Sequence, residues 1–339
     1  MTTCCFVVGH EDTNDDEGKL LTVSDTPDAF WRVLTPARAL GLPAVILGHV
    51  GAQERALGAD VLWIHQPSSD MAVALIEKAR AQGRSVIVDF SEDPWSRAEI
   101  GASYLPARLE ACATACENAS MIVLANRNLA PAFQTFDVRM VMVEPVVPLG
   151  PGWIPKPPAE PPILAWWSDA RQKRGLSDVA LALRTLLVNT DLQMRHIGFA
   201  HQAPLVTGLS EAEVKAIAPR LSSYFSDSKN LTAEANMAIF RDAMAPALLS
   251  MECYPASQYR ETLSELGLLR AAALGVPSIT TRLDIPPGCI SAQPDEWEGE
   301  ISSLLENPAW RRDFSLAARS WAQSRSSFTA YQNAIEEVL

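Results

Sequence analysis

The sequence predicts an α/β protein built from two doubly wound domains, and three observations support this fold class. The chain has 339 residues, enough for two domains of ordinary size. Short apolar runs alternate with amphipathic helical runs in each half, as in parallel sheets covered by helices on both faces. Between the halves, residues 144–162 hold eight prolines and two glycines, a composition that continues neither a helix nor a central strand.

In the first half, apolar runs of strand length are separated by stretches with helical periodicity. Such runs indicate strands that are buried on both faces. We predict strands at residues 4–10, 44–49, 61–66, 85–90, 121–126 and 139–144, and helices at 28–40, 70–82, 104–118 and 128–134.

The second half repeats this alternation. We predict strands at residues 162–167, 194–199, 221–226, 245–251, 277–281 and 289–293, and helices at 177–188, 210–217, 231–242, 264–274, 294–306, 308–324 and 328–338.

These elements define the expected domains. Residues 1–150 form the first domain, residues 151–162 a Pro-rich linker, and residues 163–325 the second domain, while residues 326–339 form a helix expected to pack back on the first. We expect the two domains to face each other across a cleft. Ligands of doubly wound sheets bind beyond the carboxyl ends of the strands, so the candidate residues are those that follow strands.

Composition and charge restrict the class of protein and the partners that can be expected. The apolar content of 48% and the charged content of 20% are typical of a soluble globular protein. The net charge is −12, and residues 1–150 carry 19 acids against 11 bases, which disfavours non-specific binding of nucleic acid. No signal peptide or membrane span is indicated, so a cytoplasmic location is expected. The six cysteines show neither a CxxC pair nor zinc spacing, which favours buried free thiols over metal ligands or disulfides.

Acid–base candidates follow two strands of the first half. His65 lies at the end of the third strand and Asp89 at the end of the fourth, and Glu92 and Asp93 follow the fourth. Neighbouring carboxylates suit proton abstraction or metal binding, and a histidine at a strand end is placed for acid–base chemistry. The alternative is a solvated turn in which Asp93 precedes Pro94. The candidate catalytic residues are His65, Asp89 and Asp93.

The first strand of the second half leads into a compact basic loop. Ser168, Arg171 and Lys173 lie in this loop, before a helix whose expected N-cap is Ser177. Guanidinium groups and helix-terminal amides can together hold a diphosphate. A solvated basic loop is the alternative.

Two further strand ends of the second half carry polar candidates. A glycine at the end of the second strand would let a ligand approach the backbone closely. After the fourth strand, a polar loop leads to a helix whose expected N-cap is Ser264, a favourable place for a phosphate. The candidate binding residues here are His196, Gly198, Glu252, Tyr254, Tyr259, Arg260, Ser264 and Glu265.

The second half resembles the C-terminal domain of GT-B glycosyltransferases of the group 1, or family 4, type. In that family a strand is followed by a polar loop, a helix with the pattern EAxAxGxP, and another strand. Residues 242–281, DAMAPALLSMECYPASQYRETLSELGLLRAAALGVPSITT, show this order. The first half, with RVLTPARAL at 32–40 and residues 61–95, is similar to the acceptor-side domain of bacterial and phage members. The resemblance implies a GT-B architecture of two Rossmann-like domains.

The resemblance also implies roles for individual residues. The family's basic residue on the donor diphosphate corresponds to Arg171 and Lys173. The family's glutamate seven residues before the proline, which contacts the donor ribose, falls on Arg270, and the acid eight residues earlier falls on Thr262. Glu265 is the nearest acid that could substitute.

The implied activity is metal-independent glycosyl transfer without a cofactor, from a nucleotide sugar, with UDP- or GDP-sugars foremost. The acceptor stays open between a glycan, a small molecule and a modified DNA base. For the DNA alternative, found in phage members, Arg97, Arg108 and Arg127 would supply the local positive charge. A catalytically inactive binding or scaffold protein and a two-domain epimerase remain further alternatives.

Overall fold

The computed structural model describes residues 3–9, 13–14, 20–21, 30–96, 106–168, 173–198, 203–224 and 233–339. The chain divides into two compact units. The first comprises Met1–Val146, Thr262–Ser264 and Ser327–Leu339, and the second comprises Val147–Glu261 and Glu265–Ser326.

The first unit is built on a six-stranded parallel sheet. Its strands are β1 (Cys4–Val8), β4 (Ala44–Ile46), β5 (Val61–His65), β6 (Ser85–Phe90), β7 (Met121–Leu124) and β8 (Met140–Met142), in the spatial order β4-β1-β5-β6-β7-β8. A short antiparallel pair, β2 (Thr13–Asn14) and β3 (Leu20–Leu21), lies outside this sheet. The helices of this unit are Thr35–Leu40, Ala52–Leu57, Asp70–Ala81, Pro106–Glu117, Ala130–Phe133 and Thr329–Glu336, with a π-helical turn at Phe30–Leu34 and a 3-10 turn at Arg127–Leu129.

Helices cover both faces of the first sheet because successive strand residues point to opposite sides. On one face, Leu62 and Ile64 pack in a core with the helices Asp70–Ala81 and Pro106–Glu117. On the other face, Trp63 packs in a second core that includes Tyr331 of the helix Thr329–Glu336.

The second unit also contains a six-stranded parallel sheet. Its strands are β9 (Ile163–Ser168), β10 (Gln193–Gly198), β11 (Leu221–Tyr224), β12 (Leu249–Glu252), β13 (Ser278–Thr280) and β14 (Cys289–Ser291), in the order β11-β10-β9-β12-β13-β14. The helices of this unit are Lys173–Asn189, Ala203–Val206, Glu211–Ile217, Ala233–Met244, Gln258–Thr262, Leu266–Ala273, Trp297–Glu306 and Pro308–Ser324, with a 3-10 turn at Ala218–Arg220.

The predicted α/β class and all twelve strands of the two parallel sheets are confirmed, with differences of up to four residues at the strand ends. The short helices Ala52–Leu57, Ala203–Val206 and Gln258–Thr262 were not predicted. All six cysteines are buried free thiols, as expected. Among the helices in the described ranges, none has both the length and the apolar character needed to cross a membrane.

Both helix N-caps predicted for the second half, Ser177 and Ser264, are wrong. The helix expected to begin at Ser177 begins at Lys173, so Ser177 lies inside it. This extra turn packs closely on the backbone after β12, where a Cβ on Gly175 would lie 2.4 Å from the carbonyl oxygen of Cys253. The helix expected to be capped by Ser264 begins at Leu266, with Glu265 at the N-cap position. The backbone N–H of Ser264 instead donates to the carbonyl of Ser91 at 3.1 Å.

Candidate functional site

Each sheet has one place where the strand order reverses. In the first sheet the chain leaves β1 toward β4 on one side and continues with β5 on the other. In the second sheet β9 leads toward β10, whereas β12 lies on the opposite side of β9. Connections that leave neighbouring strands in opposite directions open a crevice at the carboxyl ends, where ligands of such sheets bind. The candidate sites are therefore the ends of β1 and β5 and the ends of β9 and β12.

At the first of these sites, His65 and Asp89 form a buried pair. They are direct neighbours in the register of β5 and β6, so both side chains lie on the same face of the sheet. His65 Nδ1 lies 2.7 Å from Asp89 Oδ2, and both side chains are fully buried. The structure thus brings together two of the three predicted catalytic residues.

Arg32 completes this buried group. Its Nε donates to Asp89 Oδ2 at 3.1 Å, its Nη2 donates to Asp89 Oδ1, and its Nη1 donates to the carbonyl of Val143 at 2.5 Å. Arg32 lies in the π-helical turn Phe30–Leu34, and such turns occur frequently at functional sites. The guanidinium also lies over the ring of Tyr331, 5.5 Å from the ring centre.

The surrounding charges keep the carboxyl group of Asp89 ionised. Burial alone would raise the pKa of Asp89, but the positive charge of Arg32 and the hydrogen bond with His65 outweigh it and hold the pKa below its ordinary value. An ionised carboxylate only accepts hydrogen bonds, so Nδ1 of His65 carries the proton in this contact. In the neutral imidazole, Nε2 is then the basic nitrogen.

Asp93, the third predicted catalytic residue, lies in a turn after β6. Asp93 is buried, and its Oδ1 accepts from the backbone N–H of Trp95 at 2.9 Å, which is the geometry of an Asx turn.

Asn126, which follows β7, holds a segment that is distant in sequence. Its side chain donates to the carbonyls of Thr262 and Leu263 at 2.9 and 2.8 Å. Within the described ranges, no three His, Cys, Asp or Glu side chains are grouped so that they could hold one metal ion.

At the second site, Glu252 ends β12 with its carboxylate largely buried. Its Oε2 lies 3.7 Å from Nη1 of Arg282 and accepts from the hydroxyl of Thr280 at 3.4 Å. Its Oε1 lies against the first turn of the helix Leu266–Ala273, where a Cβ on Gly267 would begin 3.0 Å away. A carboxylate is favourable beside a helix N-terminus, and this one can also accept hydrogen bonds from a ligand hydroxyl.

Arg260 lies near the same edge of the second sheet. Its Nε donates to Oε1 of Glu261 at 2.5 Å, and Oε2 of Glu261 accepts from the backbone N–H of Leu283. Leu283 directly follows Arg282, so this chain of contacts places Arg260 and Arg282 near each other in the second unit. Tyr254 is buried, and its backbone N–H and carbonyl both bond to the hydroxyl of Thr281.

Several predicted binding residues lie wholly or in part outside the described residues. Arg171 lies outside the described residues, as do the side chains of Ser168, Lys173 and Tyr259. The backbone of Ser168 ends β9, Lys173 opens the helix Lys173–Asn189, and Gly198 ends β10.

Two of the residues singled out in the sequence lie in the interior of the second unit. His196 is 1% exposed and stacks on Trp166, with ring centres 4.5 Å apart. Arg270 is 2% exposed, and its guanidinium lies 4.3 Å from the ring centre of Trp167 and 5.0 Å from that of Phe240. At this position the chain therefore offers a buried cation packed on aromatic rings.

Two site residues were missed as site candidates. Arg32 was noted only as part of a predicted helix, although a lone cation in the apolar run FWRVL is a signal for a buried partner. Arg282 directly follows the strand segment SITT at a predicted carboxyl edge. In both cases the acid it meets is distant in sequence.

Comparison with known proteins identifies the fold. No protein-family model and no curated protein matches the sequence. Sucrose-phosphate synthase from Thermosynechococcus elongatus matches with a TM-score of 0.67 and 12% identity, over 100% of this chain and 98% of its own. HepE from Anabaena, solved in complex with UDP, matches with a TM-score of 0.66 and 11% identity, over 99% of each chain. The lipopolysaccharide outer core galactosyltransferase WaaB matches with a TM-score of 0.58 and 11% identity over the full length of both chains.

These matches extend over both units. The two six-stranded parallel sheets with their helices agree with the two-domain α/β architecture of the matched structures. The chain therefore has the two-domain α/β fold of the GT-B glycosyltransferases.

Proposed function

We propose that this protein is a glycosyltransferase that moves a sugar from a nucleotide-sugar donor to a hydroxyl group of an acceptor. One observation carries the proposal: at the reversal point of the second sheet, the first turn of the helix Lys173–Asn189 packs on the backbone of Cys253, the residue that follows β12. The contact of Gly175 with Cys253 fixes this arrangement. Helix N-termini bind phosphates, and the reversal point is where such sheets bind nucleotides.

On the donor side, the diphosphate would meet the helix N-terminus together with the basic residues Arg171 and Lys173. Glu252 would accept hydrogen bonds from donor hydroxyls, and Arg260 would add positive charge at the same edge. Cations and amides that are already in position stabilise a diphosphate leaving group electrostatically. The match to HepE, solved with UDP, supports a uridine nucleotide as the first donor to test.

On the acceptor side, His65 is the favoured base among the predicted residues. Both oxygens of Asp89 already accept hydrogen bonds, and its lowered pKa makes it a weak base. Asp89 and Arg32 would instead position His65. The acceptor hydroxyl would give its proton to Nε2 while its oxygen bonds to the anomeric carbon, and the bond from that carbon to the diphosphate would break. His65 is fully buried, so acceptor binding must uncover its ring.

Calorimetry tests the donor assignment. We expect at least one of UDP-, GDP-, ADP- and dTDP-glucose to bind with a Kd between about 1 μM and 1 mM. The double variant Arg171→Ala/Lys173→Ala should weaken that binding by about tenfold or more, because charge-assisted hydrogen bonds to the diphosphate are lost. Lys215→Ala/Arg312→Ala removes two exposed cations of the same unit and is the matched control.

The outcomes separate the alternatives. Release of nucleoside diphosphate coupled to glycosylation of a hydroxyl acceptor supports the transferase. Conversion of the donor into an isomeric nucleotide sugar would favour an epimerase. If no nucleotide sugar binds to the wild-type protein, the proposal is overturned in favour of a scaffold role.

A further inference from the structure

One residue beside His65 has an unusual backbone conformation. Among the described residues other than glycine, only Gln66 has a positive φ, at 48°. This left-handed region is unfavourable for a side chain with a Cβ, and such residues concentrate at ligand-binding sites. Gln66 directly follows β5, so it lies at the reversal point of the first sheet.

Hydrogen bonds hold Gln66 in this conformation from both sides. Its backbone N–H donates to the carbonyl of Asp89, and its carbonyl accepts from the N–H of Ser68, both at 2.8 Å. The segment after β1 also packs against this turn, because the N–H of Gly9 donates to the carbonyl of His65 at 2.9 Å. A Cβ on Gly9 would lie 2.9 Å from that oxygen, so this close approach excludes a side chain there. The position of Gln66 is therefore fixed before any ligand binds.

The side chain of Gln66 is half-buried and has hydrogen-bonding capacity to spare. Its Nε2 donates to the hydroxyl of Ser91 at 2.8 Å, which orients the amide. A primary amide has two N–H donors and one carbonyl acceptor, so this bond leaves the carbonyl and a second N–H for a ligand. A hydroxyl group, which both donates and accepts, matches that pair.

The surrounding charge favours a neutral ligand. Asp93 is buried in the loop after β6, two residues from Ser91, and Arg32 is paired with Asp89. Residues 1–150 carry 19 acids against 11 bases. An acceptor bearing a phosphate or carboxylate would meet repulsion here, whereas a neutral glycoside would not.

We propose that Gln66 binds a hydroxyl of the acceptor and selects neutral hydroxylated acceptors, such as glycosides, over anionic ones. This inference rests on the proposed glycosyltransferase function. It assigns specificity to the turn after β5, next to the residue proposed as the base.

Three variants separate the side chain from the backbone strain. Gln66→Gly accepts a positive φ and removes the amide. Gln66→Asn tolerates the same φ and keeps a shorter amide. Gln82→Ala, an exposed glutamine of the same unit, is the control. The probes are neutral p-nitrophenyl glycosides and the matching uronides and sugar phosphates.

Binding of the probes is measured by saturation-transfer NMR, with or without donor, and the donor Kd by calorimetry. We expect the wild-type protein to prefer the neutral probes. Gln66→Gly should weaken their binding by about tenfold, the value of one or two hydrogen bonds, while the donor Kd changes by less than about twofold and thermal stability does not fall. The glycoside affinity of Gln66→Asn should lie between those of the wild type and Gln66→Gly, and the affinity of Gln82→Ala should match the wild type.

Unchanged glycoside binding in Gln66→Gly, or a wild-type preference for anionic probes, would overturn the inference. A wild-type protein that binds a nucleotide sugar but none of the neutral probes would also overturn it and leave the donor assignment standing. Binding of glycosides without any nucleotide-sugar binding would instead refute the proposed function, and the comparison of Gln66→Gly with the wild type would still decide the role of Gln66.

Discussion

The guanidinium of Arg270 lies 4.3 Å from the ring centre of Trp167, at the position to which the resemblance assigns a ribose-binding glutamate. Phe240 forms the second wall, and its ring meets that of Trp167 edge to face at 4.8 Å. A desolvated cation on two aromatic faces is stabilised by about 2 kcal/mol. Arg270 is therefore part of the packing of the second unit.

This packing predicts the effect of placing a glutamate at position 270. Arg270→Glu places a carboxylate against two aromatic faces and should lower the free energy of unfolding by about 3–5 kcal/mol, the range for a buried unpaired charge. Arg270→Met keeps the volume and should cost about 1–2 kcal/mol. Urea unfolding measures both. If Arg270→Glu were as stable as the wild type and bound nucleotide sugars more tightly, the packing role would be refuted.

Substitutions at Arg32 and Asp89 should have strongly non-additive effects on the free energy of unfolding. Asp89→Asn leaves the guanidinium of Arg32 buried without its counter-charge and should cost about 3–5 kcal/mol of unfolding free energy. The double variant Arg32→Met/Asp89→Asn should cost less than the sum of the single variants, because neither charge is then left alone. Asp60→Asn, at an exposed pair with Arg84, is the control and should change the stability far less, because exposed ion pairs contribute little. Additive effects at Arg32 and Asp89 would contradict the coupling.

The lowered pKa of Asp89 predicts a specific dependence of stability on pH. A group whose pKa is lower in the folded state stabilises the fold fully above its unfolded pKa, about 3.9 for Asp. That stabilisation is lost as the pH falls through the folded value. Unfolding free energies measured from pH 7 to pH 2.5 should therefore fall more steeply in acid for the wild type than for Asp89→Asn. Parallel curves for the two proteins would count against an ionised Asp89.

Gly175 should be intolerant of a side chain. In Gly175→Ala the new Cβ would lie 2.4 Å from the Cys253 carbonyl, so the first turn of the helix Lys173–Asn189 must shift. We expect a loss of about 1–3 kcal/mol in stability and weaker binding of nucleotide sugar. Gly299→Ala, in the helix Trp297–Glu306 with no atom near the added Cβ, is the matched control. It should be neutral or stabilising by up to about 1 kcal/mol. Equal behaviour of the two variants would remove the reason to place the phosphate site there.

The fold could be predicted from the sequence because each strand is a local apolar run and each long helix has its own periodicity. The positions of His65, Asp89 and Glu252 at strand ends followed from the same local pattern. Their partners could not be predicted in this way. Arg32 meets Asp89 across 57 residues, and Arg282 meets Glu252 across 30, so only the packed sheets bring them together.

Backbone conformation is a second property that local sequence patterns do not determine. Ser264 has the residue type of an N-cap, but its N–H donates to Ser91 and the helix begins later. Gln66 adopts a left-handed backbone conformation, which glutamine rarely adopts, so the residue type does not predict the turn. Hydrogen bonds between distant loops overrode local preference at both positions.

The stacking of Tyr331 on Trp63, with ring centres 5.2 Å apart, has a consequence for folding during synthesis. A ribosome makes Tyr331 only after every strand of the second sheet. Until then the face of the first sheet that carries Trp63 and Phe6 is covered in part by the segment with Val33 and Ala37, but it lacks the helix Thr329–Glu336. A nascent chain that pauses before residue 327 should therefore present an aromatic surface to chaperones, and the first unit to be translated should be the last to complete its core.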